Sequence, residues 1–202
     1  MSVYLKGGYG RPDSDPFNTD KGRIEAERQI SKYGTKIFRD DDISLITNIN
    51  QFVFVHQIFQ RFRVTHTIAV ILKNIEKNTE LMAYLLSHRD EIDIQLHCWE
   101  HVDYNKLISQ ADDLTKCVRE FTRIFGKPPV TWYPPWNSCD FRTAEVAKGC
   151  GLVPRPDKIS LDQYIRKKGA VKEDTINFHY WCESEVNDLY KALEIYTKMA
   201  VA

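Results

Sequence analysis

Gln95-Leu96-His97-Cys98-Trp99-Glu100-His101 closes an apolar run, Ile92 to Leu96, that reads as a buried strand, and its two imidazoles stand four residues apart. Along an extended chain that spacing carries two side chains too far apart to share one ion. A strand that turns directly into a helical or looped segment brings them to one side. The reading therefore needs a turn just beyond His97. Upstream, the strand expected over Thr35–Arg39 runs into Asp40-Asp41-Asp42, the only triple carboxylate in the chain. Three successive acids repel one another unless a cation or Arg39 compensates them, which sets them apart from a solvated turn or a helix cap. Two histidines and a carboxylate make a common shell for a divalent cation, and a second carboxylate beside them is placed to handle a proton. Asp42, His97 and His101 are the candidate ligands, with Asp41 the base toward an attacking water. The pattern is that of a metal-dependent hydrolase.

The rest of the chain alternates strands and helices around this pair. Val64–Leu72 reads as a strand, 78–87 as a helix carrying Leu81, Met82, Leu85 and Leu86, and 111–125 as a helix whose apolar residues recur at three- and four-residue spacing up to Gly126 and Pro128. Val130–Tyr133 and Thr175–Phe178 are further strands, and Glu185–Met199 a final helix. Gly22–Tyr33 suits a short polar helix. The aromatic stretch 42–62 fits either period, because Phe52, Phe54 and His56 alternate while Val53, Gln57 and Gln60 suit a helix. Such alternation indicates an α/β domain of mostly parallel strands, and its polar residues collect just after strands, where parallel α/β folds build sites. A complete or incomplete barrel would bring all four strand ends together; a doubly wound sheet would unite only some.

The chain has 202 residues, 43% of them hydrophobic, enough for one domain over 1–202, with the Gly-, Pro- and Asp-rich residues 1–20 as an extended entry segment. Lys and Arg number 28, as do Asp and Glu, so no net positive field favours nucleic acid. Its longest apolar runs fall far short of the roughly 20 residues of a membrane span, and neither an anchor nor a secretory leader is expected. Five scattered cysteines without a Cys-x-x-Cys pair suggest reduced thiols and a cytoplasmic setting. Cys98, although beside His97, reads as a buried thiol. Gly7-Gly8-Tyr9-Gly10 lacks the context of a phosphate loop. His56, His66 and His88 read as structural or surface residues.

His179 directly follows the 175–178 strand and is a candidate general acid for a departing amine. In Trp132-Tyr133-Pro134-Pro135-Trp136-Asn137 the prolines stiffen the backbone, and Tyr133, Pro135 and Trp136 are candidates for a substrate wall against sugar rings.

Together these pieces resemble the polysaccharide deacetylase family, also called the NodB-homology or carbohydrate esterase four family. Arg39-Asp40-Asp41-Asp42-Ile43 resembles its acidic motif, His97 to His101 its paired-histidine motif, Tyr133-Pro134-Pro135-Trp136 its third motif, and Ile176-Asn177-Phe178-His179 the late strand bearing a catalytic histidine. The resemblance runs from Thr35 through the final helix, in family order. It implies a distorted, incomplete (β/α) barrel, one zinc-like ion and removal of an acetyl group from an N-acetylated sugar or glycan precursor. Asp41 is implied as base and Asp42 as ligand, matching an Arg-x-Asp-Asp form of the motif; the alternative register uses Asp40 and Asp41. Tyr133 stands where the third motif normally begins with Arg, and Arg39, with Asp40, is a candidate supporting residue. An inactive carbohydrate-binding module on the same fold, and a hydrolase of another amide or ester, are the alternative readings.

Overall fold

The structure, a computed structural model, describes residues 36–201. The entry segment expected over 1–20, the helix expected over 22–33 and the first residue of the 35–39 strand lie outside the described residues.

Among the described residues, seven strands form one sheet: β1 (Ile37–Ile43), β2 (His66–Ile71), β3 (Ile92–Cys98), β4 (Thr131–Trp132), β5 (Val153–Pro154), β6 (Ile159–Ser160) and β7 (Thr175–Phe178). Their order is β5-β4-β3-β2-β1-β7-β6, and every pairing is parallel. From β1 the chain steps outward one strand at a time to β5. It then crosses to the far edge at β6 and returns through β7 to β1. That is the order of a barrel opened between β5 and β6, and the sheet is a curled, incomplete parallel half-barrel rather than a doubly wound sheet. The carboxyl ends of β1, β3, β4 and β7 therefore converge.

Among the described residues there are six α-helices: α1 (Ile49–Phe62), α2 (Thr79–Ser87), α3 (Gln110–Phe125), α4 (Phe141–Gly149), α5 (Leu161–Arg166) and α6 (Glu183–Val201). The ambiguous 42–62 stretch resolves as the end of β1, a loop and α1, because Phe52, Val55, His56 and Phe59 fall on one buried helical face. Asn48 caps its start by accepting from the Gln51 N–H. Asn78 does the same for α2, and Gly126, at φ 75°, ends α3 as expected. Beneath the sheet, Phe38 meets Phe59, Tyr164 and Tyr196 edge to face at 6.4, 5.7 and 5.5 Å, joining β1 to α1, α5 and α6. Truncating such a buried ring to Ala costs about 3–5 kcal/mol. Among the described residues, no helix is long and apolar enough to cross a membrane.

Two boundaries differ from expectation in a way that matters for the site. The acids lie inside β1 rather than after it, and β3 continues through His97 to Cys98. Both strands pair with β2 again just beyond these positions, at Ile43 and at Cys98, so Asp41, Asp42 and His97 sit in register breaks bracketed by paired residues.

Candidate metal centre and active site

In a regular strand, neighbouring side chains point to opposite faces. Phe38 and Asp40 thus share one face of β1, and Arg39 and Asp41 the other. Asp42 would fall with Asp40, but its backbone turns to φ 66°, where the β1–β2 register is irregular between Asp40 and Ile43. Aspartate tolerates this left-handed conformation better than most residues. The turn puts Asp42 Oδ1 3.4 Å from His97 Nε2 and 3.3 Å from His101 Nε2. His101 reaches the same point because the chain turns sharply after Cys98, as the spacing required.

His97 is buried, and its Nδ1–H donates to the Tyr133 carbonyl at 2.6 Å, which leaves the Nε2 lone pair facing the site. His97 Nε2 and Asp42 Oδ1 are both buried without a hydrogen-bond partner. Buried acceptor atoms facing one another are unfavourable unless something positive sits between them. Burial pushes the Asp42 carboxyl up, yet His97, His101 and His179 outweigh it and hold the group below the usual range. For His101, burial and His97 lower the imidazole against the pull of Asp42. Asp42, His97 and His101 form a cluster that can hold a metal ion, with one ligand atom from each residue and all three within 4.8 Å of one another. Two imidazole nitrogens and a carboxylate oxygen fit a divalent ion of the zinc type and leave positions for water and substrate.

Asp41 lies beside this cluster. Its Oδ2 accepts from Arg39 Nη2 at 2.8 Å and from Asn177 Nδ2 at 2.7 Å. Arg39 is wholly buried, donates also to Asn137 Oδ1 at 2.7 Å and lies 4.5 Å from the Tyr133 ring centre. The guanidinium at the acidic motif therefore reaches Asp41. Asp40 faces away, into the core between β1, β2 and α1. Its Oδ1 accepts from the Tyr180 N–H at 2.8 Å, and its Oδ2 lies 3.3 Å from His66 Nε2. Strand alternation thus turns Asp40 to the face opposite Asp41 and Arg39, so the structure brings Asp41 and Asp42, and not Asp40, beside the two histidines.

His179 follows β7 and stands 3.9 Å, through Nε2, from Asp42 Oδ2. Its Nδ1 lies 2.9 Å from Glu185 Oε2, which also accepts the His179 backbone N–H at 2.7 Å. Burial lowers this imidazole, but the Glu185 hydrogen bond and charge prevail and raise it above its ordinary value. Glu185, Asn177 and Asn137 were not anticipated. An acid in the first turn of a helix just after a strand-end histidine was a usable signal for Glu185; the two asparagines carried none.

The expected aromatic wall is narrower than Tyr133, Pro135 and Trp136. Tyr133 and Pro135 are buried, because the Tyr133 ring covers Arg39 and the chain then folds inward. Trp136 alone faces solvent, at 61% exposure and φ 52°, edge-on to His101 with ring centres 4.5 Å apart. Trp181, half exposed, lies 4.9 Å from the His179 ring on the other side. Cys98 is fully buried, and burial pushes its thiol well up, as befits a packing residue. All five cysteines are free.

The polysaccharide deacetylase family model matches residues 50–154, just over half of the chain, spanning His97, His101 and the Tyr133–Trp136 segment. No curated protein matches the chain in sequence. Among solved structures, the family 4 carbohydrate esterase from Streptomyces lividans in complex with acetate superposes with a TM-score of 0.66 at 11% identity, over 82% of this chain and 89% of that one. The peptidoglycan deacetylase PdaC from Bacillus subtilis gives 0.63 at 14% identity, over 81% and 83%. A pseudoenzyme of the same carbohydrate esterase family from Bacillus anthracis gives 0.61 at 12% identity, covering 83% of this chain and 61% of its own length. These likenesses concern the fold.

Proposed function

This chain belongs to the polysaccharide deacetylase family, and we propose that it is a zinc-dependent carbohydrate N-deacetylase, hydrolysing the amide of an N-acetylated sugar or glycan precursor. One observation carries the reading: Asp42, His97 and His101 share a point flanked by a carboxylate, Asp41, and by an imidazole held toward its protonated form, His179. A divalent ion held there would supply Lewis acidity toward the acetyl carbonyl and toward water. Asp41 accepts the proton of the attacking water through a carboxylate oriented by Arg39 and Asn177. His179 holds the proton that the leaving amine requires, with Glu185 fixing the ring so that Nε2 faces the reacting bond. His97 is kept in the ligating tautomer by the Tyr133 carbonyl. Trp136 offers an exposed ring at the mouth for an apolar sugar face.

Acetate release from a panel of N-acetylated oligosaccharides, with zinc and with chelator, tests the reading. Asp41→Asn should keep zinc affinity and lose turnover by about 100-fold or more, within the usual span for a general base. Zinc-independent sugar binding without acetate release, or equal turnover in Asp41→Asn, would refute it. The reading as an inactive module drew on Tyr133 in place of an Arg; Arg39 beside Asp41 supplies a guanidinium by another route.

A further inference from the structure

We infer that Arg39 and Asn177 are positioning residues that pin one oxygen of Asp41, Oδ2, and thereby assign proton transfer to the other, Oδ1; the inference rests on the role of Asp41 proposed above. An unrestrained carboxylate turns about its last bond and presents either oxygen. Here two N–H donors converge on Oδ2, one from Arg39, two positions back on the same face of β1, and one from Asn177 on the adjoining strand. The parallel register makes this possible, because Arg39 pairs with Asn177 across β1 and β7, placing both one step behind Asp41.

Each donor is itself fixed. Arg39 cannot swing away, since Nη2 also donates to Asn137, Nη1 lies 3.4 Å from the Arg155 carbonyl, and the Tyr133 ring covers the guanidinium. Asn177 is buried, and its Oδ1 accepts from Lys158 Nζ at 3.2 Å. That contact sets which end of the amide is the oxygen and directs Nδ2 to Asp41. Asp41 Oδ1, in contrast, is buried with no hydrogen-bond partner. A buried acceptor kept unpaired while its twin takes two donors is the atom left free for chemistry.

The test uses zinc-loaded Arg39→Lys and Arg39→Gln, with Asn177→Ala as the milder change, since a fully buried guanidinium bears on folding. Removing one charge-assisted donor should lower kcat by about 10- to 100-fold with KM within about threefold. Zinc affinity should stay unchanged, and Arg39→Lys should recover part of what Arg39→Gln loses. Unchanged kcat in Asn177→Ala overturns the inference. So does zinc affinity falling in step with kcat, which would assign the network to the metal ligands. A readout independent of turnover is the side-chain N–H signals of Arg39 and Asn177 by NMR. They should shift and exchange faster in Asp41→Ala than in Asp42→Ala, and identical signals in Asp41→Ala refute the contact. If the wild type releases no acetate while these signals respond to Asp41→Ala, the deacetylase reading fails and the pinning of Oδ2 stands.

Discussion

Replacing Asp40 with Asn should stabilise the metal-free protein, and by more at neutral than at acid pH. Asp40 is fully buried, and burial, followed by the charges of Asp41 and Asp42, pushes its carboxyl well above the usual range despite the Tyr180 N–H. Burial and His56 push the facing His66 imidazole well down. Both directions favour a neutral acid beside a neutral ring, with Asp40 Oδ2 3.3 Å from His66 Nε2 and His66 Nδ1 3.4 Å from His56 Nδ1. A folded value raised above the unfolded one gives stability that is complete below about pH 3.9 and is lost as pH rises toward the folded value. In that interval the unfolded chain has released a proton that the fold retains, and stability falls by about 1.36 kcal/mol per pH unit. The loss accumulates over every pH unit in which the fold still holds the proton that the unfolded chain has released. Asn matches the protonated acid in shape, its carbonyl accepts from the Tyr180 N–H, and its neutral amide faces His66 without charge. Urea unfolding of both proteins with chelator at pH 5, 6 and 7 reads the difference. A stability gap that widens with pH supports the neutral pair. A constant gap, or a less stable Asn variant at pH 7, refutes it and makes Asp40 an ionised partner of a protonated His66.

Glu185→Gln should reduce kcat by about tenfold and move the alkaline limb of its pH profile to lower pH, since Glu185 raises His179 and an acid of lower pKa is deprotonated sooner; an unmoved limb would separate His179 from proton donation. Trp136→Ala should raise KM for oligosaccharides by about 10-fold, the scale of one lost stacking contact, with the unfolding midpoint unchanged because the ring is 61% exposed; a large stability loss with KM constant would return Trp136 to a packing role. Gly169→Ala should destabilise by about 2–4 kcal/mol in thermal unfolding, because φ is 78° and a Cβ there would press on Met199, Tyr164 and Ile195; a neutral effect would show that the α5–β7 connection yields freely.

The limits of the sequence reading follow from what a linear pattern encodes. Apolar periodicity marks strands and helices of several turns or pleats, so β2, α2, α3 and α6 were legible to within a few residues. The strands β5 and β6 have two residues each and carry no period, α5 has only six residues, and α4, as long as α2, buries only Thr143 and Ala147 and so shows no apolar stripe. The cluster of Asp42, His97 and His101 was legible because histidines and successive acids are rare groups at strand ends. What makes them converge was not: adjacent Asp41 and Asp42 turn toward one site only because Asp42 takes φ 66° at a break in strand register. Tyr133 and Arg39 show the same limit. Each position alone looked anomalous, an aromatic where a cation was expected and a cation inside a buried strand. In the fold the ring covers the guanidinium and the guanidinium holds Asp41, so the two departures from pattern are one arrangement. Such compensation spans 94 residues of chain, from Arg39 to Tyr133, and becomes visible only once β1 and β4 lie in one sheet.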